Sequence, residues 1–399
     1  MAIGALSFVG TGAATAYVRL QNNIEGVDIE HLLGDDRPEV VATPDPDDPN
    51  QGMPVNILVL GTDSRVGSEA VVADGEEGQR SDTTIVMHIS ADRQRVELVS
   101  IPRDSLVDIP DCTREDGSTS RPQDYAMFNS AYSIGGQSGL VSDAAACTQR
   151  TVEQNTGVRI DHFIVVNMSG FVNMVDAVGG VPMCIPEEVY SPKANNLHLQ
   201  AGLQRLDGVT ALSYARARTG TGLGDGSDTN RIGRQQELLA ATAREVLSKN
   251  LLTDVPELMR FLTAATQSLT VSSGLSSITD MAGLALSLKS LGSGGITFLT
   301  VPWVPAPTDA NRVVWTDEAD LVWANLAADV PVGTQPVAAA TDPTTAPTDA
   351  GAAEPGVTDP AAADPAATDP AATDPAPAET KEPGVDPFTP DDITTSVCG

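Results

Sequence analysis

Basic residues are scarce in this sequence. Lysine and arginine total 23 against 54 aspartates and glutamates, for a formal net charge of -31. That balance argues against nucleic acid as a partner, because a basic patch supplies most of the affinity for a phosphate backbone. Histidine is equally sparse. His31, His88, His162 and His198 are scattered, and each reads as a loop or strand residue rather than a catalytic base. The four cysteines, Cys112, Cys147, Cys184 and Cys398, form no C-x-x-C pair, which with so little histidine speaks against structural zinc. No G-x-x-x-x-G-K-[ST] loop is present, so nothing resembles a Walker phosphate site. The absence of a G-x-S-x-G elbow lowers the serine-hydrolase reading.

What the chain does have is a concentration of its few arginines. The stretch S-Y-A-R-A-R-T-G-T-G-L-G-D-G-S-D-T-N-R-I-G-R-Q-Q-E, residues 213–237, holds Arg216, Arg218, Arg231 and Arg234. Two-residue spacing in an extended segment puts Arg216 and Arg218 on one face. After a glycine-rich loop, Asp228, Thr229 and Asn230 are N-cap candidates for a helix. On that helix Arg231, Arg234, Gln235 and Leu238 fall at i, i+3, i+4 and i+7, again one face. Arginine grips phosphate through paired hydrogen bonds, so the pattern points to an anion site. Surface ion pairs with the many carboxylates are the competing reading.

Charge and composition divide the chain. Residues 1–50 carry a net -7 and residues 335–399 a net -11, leaving -13 for the middle. Residues 1–20 are apolar and uncharged until Arg19, at the short end for a membrane span of about 20 residues. They read as an N-terminal membrane anchor that lacks a basic flank. A signal peptide cleaved near Ala14-Thr15-Ala16 competes with that reading, as does a buried helix. Residues 21–53 are acidic and proline-rich and read as a stalk with no core. Residues 54–334 read as the folded domain. Residues 335–399 form an Ala/Asp/Pro/Thr tail in which A-A-T-D-P recurs, expected to be disordered.

Within the domain, V-N-I-L-V-L-G from Val55 is a continuous apolar run, as in a strand buried on both faces. T-T-I-V-M-H-I-S and R-V-E-L-V-S-I-P form a hairpin turning at A-D-R-Q. A helix follows over about 140–156, then strand I-D-H-F-I-V-V-N, a helix ended by Gly179-Gly180 and the short strand V-P-M-C-I-P. Helices are expected over about 231–249, 254–268 and 276–291, before the strand I-T-F-L-T-V-P-W-V-P-A-P and the helix T-D-E-A-D-L-V-W-A-N-L. The alternation predicts a single α/β domain with a central mixed sheet flanked by helices.

Asp63, Arg65, Arg80, Asp82 and Arg103 then sit at strand ends or in the loops between them, where open α/β sheets place ligands. Two aspartates among arginines suit a hard cation such as Mg2+ or Mn2+ shared with phosphate oxygens, and phosphoryl transfer needs mainly such charge neutralisation. Turn caps and ordinary ion pairs are the alternative for either aspartate alone. Asp104 reads as orienting Arg103 or as a base. Leu238, Leu239, Val246, Leu247, Leu251 and Leu252 read first as core, and a lipid-tail pocket between helices and sheet is the sharper alternative. An even cysteine count in an exported chain suggests disulfides, with Cys112–Cys147 the favoured pair and Cys184–Cys398 a further candidate; four unrelated thiols are the competing reading.

The motifs G-T-D-S-R, R-S-D-T-T, S-I-P-R-D, F-N-S-A-Y-S-I-G-G, G-V-R-I-D-H-F-I-V-V, D-A-V-G-G-V, L-D-G-V-T-A-L-S-Y-A-R-A-R and N-R-I-G-R-Q-Q, in that order, resemble those of the LytR–CpsA–Psr family. The resemblance covers residues 55–249 most closely. It implies an extracellular, single-pass membrane-anchored phosphotransferase of actinobacterial type. Such an enzyme moves a glycopolymer from a polyprenyl-pyrophosphate carrier to peptidoglycan through a phosphodiester. By the same resemblance Asp63 and Asp82 bind Mg2+, and Arg80, Asp82, Arg103, Arg216 and Arg218 are catalytic. Arg80, Arg103, Arg216, Arg218, Arg231 and Gln235 hold the pyrophosphate, with Arg65 and Arg234 in support. Two loops, 65–80 and 218–231, are longer than the family pattern, and Met127 stands where many relatives carry lysine. Three readings compete: the ligase, a non-catalytic wall- or lipid-pyrophosphate-binding protein, and a pyrophosphatase acting on the same lipid.

Overall fold

Strand Val55–Thr62 sits at the middle of the molecule because it is apolar on both faces. Leu58 and Leu60 point into one apolar cluster, Ile57 and Val59 into another on the opposite side. The computed structural model describes residues 15, 17–39, 52–62, 81–224, 228–248, 255–334, 384 and 386–392. These belong to one unit, 1–334 with 381–399; a second unit, 335–380, lies wholly outside the described residues.

The main sheet has seven strands in the spatial order Glu25–Val27, Leu269–Ser272, His162–Asn167, Val55–Thr62, Ser81–Ile89, Val96–Ile101 and Ile296–Thr300. Parallel and antiparallel pairs mix, so the expected central mixed sheet is what forms. Helices Val141–Thr156 and Asp317–Ala327 contribute Ala144, Cys147, Val152, Val322 and Trp323 to the first cluster. On the other face Ala240 of helix Asp228–Ser248 packs with Ile57, Val271 and Phe298. A third cluster joins helices Met168–Ala177 and Gly208–Arg216 to the hairpins beside them.

The antiparallel register sets where the site falls. Thr84 pairs with Ile101, so the start of strand Ser81–Ile89 and the end of Val96–Ile101 share one edge. Thr62, the last residue of the central strand, pairs with Ser81 and with Asn167 at that edge.

Cys112 and Cys147 are disulfide-bonded, as expected, tying a loop to helix Val141–Thr156. Cys184 is also disulfide-bonded; its expected partner, Cys398, lies outside the described residues.

Two expectations need correction. The stretch 21–53 is not a coreless stalk throughout. Glu25–Val27 adds a parallel edge strand against Thr270, Val271 and Ser272, and Ile29, Leu32 and Leu33 are buried in the first cluster. Arg37 fixes this segment by donating from Nη2 to Glu153 Oε1 (2.7 Å) and to Ile160 O (2.7 Å). A few apolar residues and one buried ion pair anchor a segment whose composition otherwise suits a linker. The tail also returns to the domain. Phe388 is buried, stacks on Phe298 with ring centroids 5.4 Å apart, and exchanges both backbone hydrogen bonds with it. The expected N-terminal anchor falls partly on residues 1–14 and 16, outside the described residues. No helix among the described residues is long and apolar enough to cross a membrane.

Candidate functional site

The shared strand edge gathers arginines around one carboxylate. Asp82, the second residue of its strand, accepts from Arg103 Nη1 at Oδ1 (2.8 Å) and pairs through Oδ2 with Arg218 Nη2 (3.4 Å). Arg231 Nη2 donates to the Asp82 backbone oxygen (3.2 Å). Burial disfavours charge on Asp82, but Arg231, the hydrogen bond from Arg103 and the Arg218 charge outweigh it and hold the carboxyl below its usual range.

The arginines arrive from three directions. Arg103 follows strand Val96–Ile101 after Pro102, and Asn129 N–H donates to its backbone oxygen (3.1 Å), pinning the F-N-S-A-Y segment beside it. Met127 ends strand Gln123–Met127, pairs with Leu106 and is half-buried. Arg216 and Arg218 do not lie in an extended segment as expected. Arg216 is the last residue of helix Gly208–Arg216, and the chain leaves the helix at Ala217, whose φ is -58° and ψ 129°. Arg218 lies just beyond that exit and is half-exposed.

Helix Asp228–Ser248 supplies the third direction. Asp228 is its first residue and not a cap. Its Oδ1 lies 2.5 Å from Arg231 Nη2 and 3.3 Å from Arg103 Nε. Gln235 accepts from Thr83 Oγ1 (3.0 Å) and donates through Nε2 to Ala215 O (3.3 Å), joining strand, helix end and arginine helix. A narrow cleft between the sheet and this helix is lined by Asp82, Thr83, Ile232, Gln235 and Leu239.

Arg234 departs from the expected set. It is buried, and its guanidinium donates to the backbone oxygens of Tyr214 (3.4 Å), Leu223 (2.9 Å) and Ala217. Three residues along a helix keep it near Arg231, but three of its five N–H donors go to the turn that carries Arg218. Burial lowers the Arg231 guanidinium to about 10, with Asp228 opposing the shift. Asp104 lies 3.6 Å from Arg103 Nε and 3.7 Å from Arg312 Nη1, an orienting arrangement.

Asp63, Arg65 and Arg80 lie outside the described residues. Among the described residues, no group of three or more histidine, cysteine, aspartate or glutamate side chains could hold a metal ion. Asp228 is the residue that sequence reasoning missed as part of this cluster. Burial raises its carboxyl while Arg231 and Arg103 pull it down, and Oδ2 is buried with no hydrogen-bond partner among the described residues. Its spacing of three before Arg231 carried the signal, because i and i+3 share a helix face.

A sequence model of the LytR_cpsA_psr family matches residues 16–327. The chain belongs to the LytR–CpsA–Psr family. Among its relatives is the probable cell wall biosynthesis protein LcpB of Corynebacterium glutamicum, 36% identical over 271 residues, or 66% of this chain and 58% of that protein. Another is the polyisoprenyl-teichoic acid–peptidoglycan teichoic acid transferase TagU of Enterococcus faecalis, 31% identical over 241 residues, covering 60% of this chain and 68% of that one. The match thus spans less than two thirds of LcpB. The solved LytR-Csp2A-Psr enzyme from Actinomyces oris is 21% identical, covers 76% of this chain and 95% of its own, and superposes with a TM-score of 0.51. It shares the LytR–CpsA–Psr fold seen here.

Proposed function

We propose that this family member is a phosphotransferase that moves a glycopolymer from a polyprenyl-pyrophosphate carrier onto peptidoglycan. The convergence of Arg103, Arg218 and Arg231 on Asp82 carries the proposal. TagU, whose name describes a transfer of this kind, supports it. In the reaction an acceptor hydroxyl oxygen attacks the phosphorus that bears the glycan. The bond between the two phosphates breaks, the polyprenyl monophosphate leaves, and the hydroxyl proton is released to solvent. Such a step demands little of the protein beyond in-line positioning and neutralisation of phosphate charge. Arg103, Arg216, Arg218 and Arg231 would hold the phosphate oxygens, with Gln235 fixing the helix end and Asp228 orienting Arg103 and Arg231.

Asp82 fits a hard divalent cation. It is an ionised oxygen donor at the edge of the cleft, and because no group of three metal-ligating side chains forms there among the described residues, the ion would share phosphate oxygens and Asp63. Bound there, Mg2+ would neutralise charge on the leaving phosphate. The domain is proposed to span residues 16–334 with the returning 384–392 segment, and to work outside the cell at a membrane surface.

The test incubates the full chain with Mg2+, a polyprenyl-pyrophosphate sugar and peptidoglycan fragments, and follows polyprenyl monophosphate by mass spectrometry. Release that depends on acceptor, with a phosphosugar-linked glycan as product, is the expected result. Release without acceptor identifies a pyrophosphatase. Binding without turnover leaves a wall-binding protein.

A further inference from the structure

The hairpin Val189–Ser191 and Leu197–Leu199 presents a side-chain patch that the arginine site does not use. Strand alternation buries Val189, Ser191, Leu197 and Leu199 and turns Glu188, Tyr190, His198 and Gln200 to solvent. Tyr190 and His198 are direct cross-strand partners. Their ring centroids are 5.8 Å apart with the planes nearly perpendicular, and Tyr190 is 46% exposed. His198 Nε2 lies 2.6 Å from Glu188 Oε1, to which it donates, and Gln200 Nε2 lies 3.2 Å from the same nitrogen, so carboxylate, imidazole and amide cluster beside Tyr190.

The patch is built onto the arginine loop. Tyr190 N–H donates to Thr221 O (3.2 Å), and Thr221 N–H returns the bond to Tyr190 O (3.0 Å). Ser191 Oγ donates to Thr219 O (2.6 Å), one residue past Arg218. Gly220 and Gly222 adopt φ of 149° and 69°, and a Cβ on them would collide with Tyr190 O and Glu188 O respectively. Only glycine lets the loop lie this close to the hairpin. Tyr190 and Arg218 therefore sit on one continuous, internally bonded piece of backbone.

We propose that this patch is a glycan subsite, where the apolar face of a sugar ring stacks on Tyr190 and its hydroxyls bond to Glu188, His198 and Gln200. An aromatic ring offers a flat apolar face for the sugar's C–H groups, and carboxylate, imidazole and amide together can both accept from and donate to hydroxyls. The subsite rests on the phosphotransferase reading for its purpose. There it positions a saccharide beside the arginines, either the acceptor glycan or the sugars of the donor polymer.

The test uses the full chain and two separate probes. A β-1,4-linked N-acetylglucosamine tetramer reports the patch through the Tyr190 and His198 ring resonances. Methylene diphosphonate reports the arginine site by calorimetry. Tyr190→Ala is expected to weaken tetramer binding by about tenfold or more while leaving diphosphonate affinity within about twofold. Tyr190→Phe, which keeps the ring face, should bind the tetramer nearly as the parent does. A further arm compares lipid pyrophosphates bearing one sugar and four. A Tyr190→Ala defect confined to the four-sugar lipid assigns the patch to the donor, and one confined to the free tetramer assigns it to the acceptor. The subsite is overturned if Tyr190→Ala changes neither glycan probe. It is equally overturned if that change weakens diphosphonate binding in step with glycan, because the cross-strand pair would then serve only to hold the loop. Failure of diphosphonate to bind the parent chain would instead count against the phosphotransferase reading, a separate result.

Discussion

Arg103 Nη1 donates to Asp82 Oδ1 over 2.8 Å, across the edge shared by two antiparallel strands. The pair joins the group that would hold phosphate to the group that would hold metal, so each pre-orients the other. Asp82→Ala is expected to abolish Mg2+-dependent release of polyprenyl monophosphate. It should also weaken Mn2+ binding in an electron paramagnetic resonance titration. A turnover rate equal to that of the parent would remove Asp82 from the metal site.

Arg218 and Arg234 should separate cleanly when each is replaced by alanine. Arg218 is half-exposed and holds Asp82 Oδ2 only at 3.4 Å, leaving donors for a ligand. Its loss should weaken diphosphonate binding by roughly 1.5–3 kcal/mol, the range for a charge-assisted hydrogen bond, with little change in melting temperature. Arg234 is buried against three backbone oxygens. Arg234→Ala strands those acceptors and should instead cost about 3 kcal/mol or more of stability. Equal melting temperatures for Arg234→Ala and the parent would refute the structural role. Unchanged affinity for Arg218→Ala would take that residue out of the site.

Glu237 makes stability depend on pH near neutrality. Burial pushes its carboxyl up to about 7 from an ordinary 4.5, with Arg234 pulling the other way. Between those values the folded chain keeps a proton that the unfolded chain has released. Stability therefore falls as pH rises through this window, by on the order of 3 kcal/mol for the full shift. Glu237→Gln should flatten that slope and raise the melting temperature at pH 8 without affecting it at pH 4. Denaturant titrations at several pH values decide the matter, and parallel profiles for the two chains would sink the assignment.

Much of this was legible in the residues alone, and the exceptions share a cause. The run V-N-I-L-V-L-G announces a strand buried on both faces, and it is the centre of the sheet. The Cys112–Cys147 pair and the helix over 141–156 follow from local composition. Glu25–Val27 is different. Three residues with a glycine among them carry no strand signal, and the strand exists only because Thr270–Ser272 pairs with it from far along the chain. The arginine helix shows the same limit within the site. A face assigned by spacing holds both Arg231 and Arg234, yet one meets Asp82 and the other turns back to the preceding helix end. Which carbonyls lie in reach is a property of the packed turn at Ala217, and spacing does not contain it. Asp228 misled for a similar reason, since a capping residue and a buried partner for arginine have the same side chain.

Phe388 shows that the end of an otherwise low-complexity tail belongs to the folded domain. It stacks on Phe298 of the edge strand Ile296–Thr300 and exchanges both backbone hydrogen bonds with it. Gly384 N–H reaches Gln236 Oε1 (3.0 Å), and Gln236 in turn donates to Ser100 Oγ (2.9 Å) and Thr300 Oγ1 (3.2 Å). The segment thus covers an exposed sheet edge and satisfies a buried amide next to Gln235. Phe388→Ala should lower stability by about 3 kcal/mol, as expected for a buried aromatic reduced to a methyl group. A chain ending at residue 334 should lose at least as much, because it gives up the edge pairing and the Gln236 bond as well. If both variants melt with the parent, the segment adds nothing to the fold. If only the truncated chain is destabilised, the backbone pairing rather than the stacked ring holds the segment in place.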